Sequence, residues 1–261
     1  MAEMFKSRYN HLKHIAAIGG KSVYKKYGTI GGNPEKRKAA WKKWWDEKGR
    51  WRKNPILLPR SITKPKRTAT LAEFVGIMLG DGGISKYQIN ITLNRYTDSA
   101  YAIYVQELIR LLFRIIPGRR DDSKDSTIVL IISRLALVQW LVESVGLVRG
   151  HKIKQQVDIP SWIKKNRLFA RACLRGLVDT DGSVFTHQYR VGNKKYYYKK
   201  LEFCTLSKPL LKSSLKIFRE NGMHPTINRN KILRLDSRKD IRQYFAVIGT
   251  HNPKHLKRYE S

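Results

Sequence analysis

The chain has 261 residues, 41% of them hydrophobic, which suits one or two domains with a proper core and rules out a wholly disordered protein. Its 53 Lys and Arg against 20 Asp and Glu leave a net charge of +33, so a polyanion is the expected partner, either nucleic acid or an anionic membrane surface. The apolar stretches Ile128–Ile132 and Leu135–Val142 are too short to span a bilayer, no signal segment opens the chain, and the basic residues are not gathered on one amphipathic helix; nucleic acid is favoured, with no membrane.

Residues 1–70 hold nineteen Lys/Arg and four Asp/Glu, contain the glycine pairs Gly19-Gly20 and Gly31-Gly32, and end in the linker-like Pro59–Lys66. Residues 1–66 are thus set apart as a basic extension. Within it, Asn33-Pro34-Glu35 is a strong helix start, and the helix should run to Lys48 and stop at Gly49. Trp41, Trp44 and Trp45 then share one face, flanked by Lys42 and Lys43. The face either packs against other parts of the protein or belongs to an accessory DNA clamp whose lysines follow phosphates; both can hold together. Residues 1–30 are left open to disorder without DNA.

The rest of the chain repeats itself. A first unit, residues 67–147, opens with the apolar helix Leu71–Leu79 and turns at Gly80-Asp81-Gly82. A strand pair, the helix Ser99–Phe113, a second strand pair ending at Ser126–Ser133 and the helix Leu135–Val145 follow. A polar connector covers 148–160. The second unit, 161–261, repeats the order: Arg167–Val178, the turn Thr180-Asp181-Gly182, a strand pair, Pro209–Glu220, a strand pair ending at Lys231–Asp236, and Asp240–Ile248.

Gly76 and Gly80 lie four apart on one helix face, and Gly176 and Thr180 do the same on the other. Such stripes let two helix backbones approach closely, which brings Asp81 and Asp181 together at two helix C-termini. Those ends already carry partial negative charge, so two carboxylates are unfavourable there unless a cation lies between them. Aspartate and carbonyl oxygens suit a hard divalent ion, and Mg²⁺ fits that ligand set. Metal clamping of a phosphodiester is the standard hydrolytic use.

Phe74–Gly82 and Leu174–Gly182 resemble the two motifs of the LAGLIDADG homing endonucleases; Leu79 stands where the first copy would have an aspartate, at a variable position. The resemblance covers roughly residues 67–261, including the closing segment Gly249–Lys254. It implies an α+β fold: duplicated αββαββα repeats forming a pseudo-twofold monomer, with antiparallel sheets making a saddle over double-stranded DNA. It also implies that Asp81 and Asp181 are the essential acids, sharing two or three Mg²⁺ ions, and that Gly80 and Thr180 offer carbonyls to the metal.

On the expected saddle, Gln88, Asn90, Thr92 and Asn94 point out together while Ile89, Ile91 and Leu93 point to the core, a pattern suited to reading base edges or to an ordinary solvated face. Lys194, Lys195, Lys199 and Lys200 surround Tyr196–Tyr198, and Arg229 and Arg234 belong to the last strand pair; these should divide between phosphate and guanine contacts. Arg134 and Arg238 hold equivalent places after the last strand of each repeat, where the family has a basic group near the scissile phosphate; the other reading is a helix-start arginine paired with solvent or phosphate. Asn94 is a weaker candidate for positioning water. The same charge suits intron RNA, so a splicing maturase is the alternative, although retention of both aspartates favours cleavage. Cys173 and Cys204 lack metal-ligand spacing and read as reduced thiols of a cytoplasmic protein, bacterial or organellar and not secreted. With Pro253 after His251-Asn252 in place of a splice-end nucleophile, the chain reads as free-standing and encoded by a mobile intron.

Overall fold

A computed structural model describes residues 2–28, 33–51, 62–122 and 125–261. The chain divides into two compact units, Met1–Pro59 and Arg60–Ser261. The Gly31-Gly32 pair and residues 59–61 of the expected linker lie outside the described residues.

In the first unit, α1 covers Ala2–Tyr27 and α2 covers Pro34–Glu47. Within the stretch left open to disorder by its sequence, Ala2–Tyr27 form one helix. The Asn33 side chain accepts from the amides of Glu35 (3.0 Å) and Lys36 (3.1 Å), satisfying two donors that a helix start leaves orphaned. The helix ends at Lys48 and a 3₁₀ turn, Gly49–Trp51, follows. Trp41 and Trp45 stack with ring centroids 5.6 Å apart, Trp44 tilts against Trp45, and Trp41 stays exposed.

The second unit contains the repeat. Its first half runs α3 (Ala69–Leu79), β1 (Gly82–Ile84), β2 (Ile89–Asn94), α4 (Ser99–Phe113), β3 (Gly118–Asp122), β4 (Thr127–Ile132) and α5 (Leu135–Trp140), which a π turn, Leu141–Val145, continues. A short helix, α6 (Ser161–Lys164), ends the connector. The second half runs α7 (Arg167–Asp181), β5 (Gly182–Val191), β6 (Lys194–Cys204), α8 (Lys208–Glu220), β7 (Thr226–Asn228), β8 (Ile232–Leu235) and α9 (Arg238–Val247). A last helix, α10 (Pro253–Glu260), is capped by the Asn252 side chain.

Each half builds a four-stranded antiparallel sheet in the same order, β1-β2-β4-β3 and β5-β6-β8-β7. Period-two alternation sets the faces. Ile89, Ile91 and Leu93 pair with Ile132, Leu130 and Ile128, and all six are buried. Asn90 and Thr92 lie on the opposite face. Leu201 and Phe203 pair with Leu235 and Leu233 to do the same in the second sheet. The core continues from both sheets into α3 and α7, of which Phe74, Ile77, Leu174 and Leu177 are fully buried. Among the described residues, no helix is long and apolar enough to cross a membrane.

Candidate active site

The two halves meet along α3 and α7, which pack against each other more extensively than any other described helix pair. A Cβ at Gly76 would collide with the Cys173 carbonyl, and one at Gly176 with the Glu73 carbonyl. At Gly80 the obstacle is the Thr180 hydroxyl, with Asp181 Oδ2 3.5 Å away. The small-residue stripe is therefore what lets the backbones touch, as the four-residue spacing predicts. Gly82 and Gly182 open the strands that follow the two helices. Gly182 has an ordinary extended backbone (φ −97°, ψ 166°), and a Cβ on either glycine would strike the end of its own helix, at Met78 or Val178. Space, not backbone freedom, is what these two turns need.

Asp81 and Asp181 come together at the two helix ends, Asp81 half-buried and Asp181 open to solvent at the cleft although densely surrounded by protein. Burial and the neighbouring Asp181 charge push the Asp81 carboxyl up to about 7, and burial pushes Asp181 up to about 6. The charge that offsets this is Lys152, from the connector. Its Nζ donates to the carbonyls of Met78 (3.3 Å), Leu79 (2.9 Å) and Gly80, the last turn of α3. Burial holds this ammonium below its usual range, against the pull of both aspartates. Gly80, Lys152 and Asp181 line a cleft of about 270 Å³ with Val157, Cys204 and Leu210. Lys152 was not singled out in the sequence; the dense basic run Arg149–Lys154 is the signal that marks it.

The donor set fits a hard divalent ion: two carboxylates, orphaned carbonyls at two negative helix ends, and an ammonium already seated on one of those ends. The Gly80 carbonyl, expected to face the metal, is the one that Lys152 holds. The Thr180 hydroxyl turns back to Gly176 (2.9 Å) and Leu177 (3.0 Å), leaving its carbonyl as the donor available at the helix end.

Other expected residues lie elsewhere. Arg134 donates to the Ser133 carbonyl (3.0 Å) and lines a groove with Ile115, Arg119 and Arg120. Arg238 stacks over Tyr198 at 5.4 Å and lines another groove with Tyr197, Lys199 and Tyr259. Each stands at the start of a helix, Arg134 before α5 and Arg238 as the first residue of α9. The Asn94 carboxamide oxygen accepts from Tyr96 N and Thr97 N, both 2.9 Å, so it closes the corner after β2. Thr92 is nearer, its amide donating to the Asp81 carbonyl (3.2 Å).

Of the expected DNA-facing residues, Asn90 and Thr92 share the open face, and Asn90 spreads across Gly83, where a Cβ would leave it no room. Gln88 sits in the turn before β2. Lys194, Lys195, Lys199 and Lys200 alternate along β6, so they divide between its two faces. Lys199 donates to the Arg258 carbonyl of α10 (2.7 Å), while Lys200 pairs with Asp236 (2.7 Å). Arg234 pairs with Asp236 (2.8 Å) and Glu202 (3.6 Å), whereas Arg229 is exposed at the β7–β8 turn. Lys42 and Lys43 are exposed on α2.

Behind the site runs a buried polar network that no sequence pattern announced. Glu73 of α3 accepts from Tyr104 Oη (2.7 Å) and Arg175 of α7, and lies 2.6 Å from His251 Nδ1. Burial would raise its carboxyl, but His251 and Arg175 hold it below the usual range. Asp179 accepts from Thr250 and from His251 N (2.8 Å), and burial still pushes it up to about 7. Asn252 donates to Asp98 (2.7 Å) and to the Asp179 carbonyl (2.9 Å), bridging the two halves. Glu73, Asp179 and His251 are close enough to hold a metal, but their oxygens are already taken, so this cluster is a strut between α3, α7 and the Thr250–Asn252 segment.

No family model matches the sequence. Among solved structures, the I-LtrWI LAGLIDADG homing endonuclease bound to target DNA superposes with a TM-score of 0.50 at 14% identity, over 74% of this chain and 87% of the other. The I-SmaMI LAGLIDADG homing endonuclease bound to cleaved DNA gives 0.50 at 10% identity, over 76% and 88%. The chain has the LAGLIDADG homing endonuclease fold. A curated relative, the tRNA-splicing ligase RtcB of Methanopyrus kandleri, is 26% identical over 221 residues; the match takes in 76% of this chain but spans only 21% of that ligase.

On this LAGLIDADG scaffold the acid pair carries a pH signature. A divalent ion bound between them would have to displace protons from Asp81 and Asp181, whose folded pKa values stand above the ordinary carboxylate range. The metal-free fold accordingly loses their stabilising protonation as pH rises from about 4 to about 7. Thermal melts with and without MgCl₂ should show a Mg²⁺-dependent rise near about pH 8 that vanishes by about pH 5. An equal rise at both would contradict the assignment.

Proposed function

We propose that the chain is a site-specific double-strand DNA endonuclease of the intron-homing type, acting as a monomer on a long asymmetric target. The observation that supports this most is the meeting of Asp81 and Asp181 at two abutting helix ends, one from each repeat, below two sheets whose open faces carry amides, hydroxyls and cations. One chain thereby supplies two half-sites and a shared acid pair. Mg²⁺ held there would supply Lewis-acid activation of the phosphodiester and of the attacking water. Asp81 and Asp181 would hold it, together with the Thr180 carbonyl. Lys152, seated on the end of α3 beside both aspartates, would supply a positive charge that stabilises the charge developing on the reacting phosphate during cleavage. Asn90 and Thr92 read base edges, while Arg229 and the extension's Lys42 and Lys43 follow phosphates.

The test is cleavage of a supercoiled plasmid carrying a target recovered from a randomised duplex library. The chain and Mg²⁺ should linearise it with one protein per DNA in the sedimenting complex. Failure to cut any enriched duplex, or two chains per DNA, would contradict the proposal. Lys152→Met should slow cutting by about ten- to a hundredfold, roughly 1.4–3 kcal/mol, with affinity unchanged. An unchanged rate would remove Lys152 from the chemistry.

Deleting residues 1–66 removes much positive charge and neither aspartate. Affinity should fall and its salt dependence become shallower, by about 0.9 in the log–log slope for each phosphate that is no longer neutralised, while the cut position stays in place. An unchanged slope would show that the extension does not touch phosphates, leaving its tryptophans a packing role.

A further inference from the structure

The two inner hairpins begin alike and end very differently. The β1–β2 ladder runs three pairs, from Gly82↔Ile91 to Ile84↔Ile89, and closes through Ser85–Gln88. The β5–β6 ladder starts at the equivalent pair, Gly182↔Phe203, and runs ten, to Val191↔Lys194. The third strand, β8, pairs only with Leu201–Cys204, so residues 194–200 of β6 overhang the sheet with β5 as their sole strand partner among the described residues. The first sheet has no such overhang, because β2 and β4 pair along their whole length.

A two-stranded ribbon without a core is marginal in water, so something must hold this arm in shape. The tip turns through Gly192-Asn193, with Gly192 at φ +58°, the two-residue loop that suits strand twist. Along one face, cross-strand rings form a ladder. Tyr189 stacks on its direct partner Tyr196 (5.3 Å) and on Tyr198 (5.4 Å), with His187 next at 6.2 Å. This face is the one opposite the buried Val184 and Leu201, shared at its base with Glu202 and Arg234, so it continues the open surface of the sheet. The other face is backed near its base by α10, through Lys199. The rings remain open to solvent: Tyr189 is 41% exposed and Tyr196 37%.

Resting on the endonuclease reading above, we propose that this arm reads the second half-site beyond the reach of the first, through apolar contact between the tyrosine ladder and thymine methyl groups in the major groove. Seven extra residue pairs at about 3.3 Å each extend the arm by roughly 23 Å. Along a duplex rising about 3.4 Å per base pair, that corresponds to about five to seven base pairs once the ribbon follows the groove. The ring faces offer apolar surface, and the Tyr189 hydroxyl is turned to that of Tyr198 (3.3 Å), so apolar contact is the readout that the ladder favours; the apolar feature that a major groove offers is the thymine methyl. Lys194 at the tip supplies phosphate attraction.

The test starts from the full-length Asp81→Asn chain and a randomised duplex library, with the wild-type cut marking the centre of the enriched target. Specified positions should extend about five to seven base pairs further on one flank, with thymine enriched there. In a chain whose residues 186–199 are replaced by a two-residue Asn-Gly turn, that flank should lose its specified positions while the other flank and the cut remain. Uracil in place of thymine in the long flank should weaken binding about fourfold per methyl removed, and should have no effect on the Tyr189→Ala/Tyr196→Ala chain. Equal flanks, a long flank that survives shortening of the arm, or indifference to uracil would each overturn the inference while leaving the endonuclease reading intact. A library with no enriched duplex would remove both.

Discussion

Asp81→Asn and Asp181→Asn should each abolish cleavage of both strands, with a rate loss of at least about a thousandfold, roughly 4 kcal/mol of transition-state stabilisation. DNA affinity should change by less than about threefold. The substitution keeps the shape of the side chain and removes the charge. A neutral amide is a far weaker ligand for a hard divalent ion than the carboxylate it replaces. DNA binding rests on the sheet faces and on the net charge of +33, to which one aspartate contributes little. Stability should not fall either. Because burial raises both carboxyls and the Asp181 charge raises Asp81 further, the ionised pair costs the metal-free fold free energy near neutral pH, and a neutral amide removes part of that cost. A loss of cutting with an unchanged or higher melting temperature thus separates chemistry from unfolding. Linearisation of the target by both single variants in Mg²⁺ would sink the assignment.

What could be read in the sequence is what periodicity encodes. The Gly76/Gly80 and Gly176/Thr180 spacings named the helix faces that touch, the alternation of Ile89, Ile91 and Leu93 named the buried face of β2, and Asn33-Pro34 named a helix start. Each of these is local, so a few residues of pattern suffice. Lys152 obeys no such pattern. It reaches the site because the connector passes beneath the end of α3, a fact of tertiary path. Arg134 and Arg238 were placed by analogy of position in the repeat, and that analogy fixes which helix they begin but not where their side chains end. The Glu73–Arg175–His251 and Asp98–Asn252–Asp179 links join residues far apart in the chain, each ordinary in its own segment. The long β5–β6 arm was half visible. Gly192-Asn193 between tyrosine-bearing strands signals a hairpin, but only the register shows that it outruns its neighbour by seven pairs.

Gly176→Val should destabilise the fold by about 3 kcal/mol or more, at the upper end of what overpacking usually costs. The obstacle at this position is main chain: the added carbon meets the Glu73 carbonyl and lies 3.0 Å from Ile77 N. No rotamer change relieves that, so α3 and α7 must move apart along the seam that carries the core. Separation also pulls Arg175 from Glu73, leaving a carboxylate that is 2% exposed short of its strongest partner. Gly80→Ala provides the contrast. Its added methyl meets the Thr180 hydroxyl, which can rotate away from its two carbonyl partners at the loss of about 1 kcal/mol of hydrogen bonding, and the Thr180 Cβ at 2.9 Å, which needs only a small shift of the helix end. Urea unfolding of the two variants should therefore give a much larger loss at Gly176 than at Gly80, although both glycines belong to the same kind of stripe. Similar, small losses at both positions would mean that the helices do not meet backbone to backbone, and the close approach that brings Asp81 to Asp181 would have to be abandoned with it.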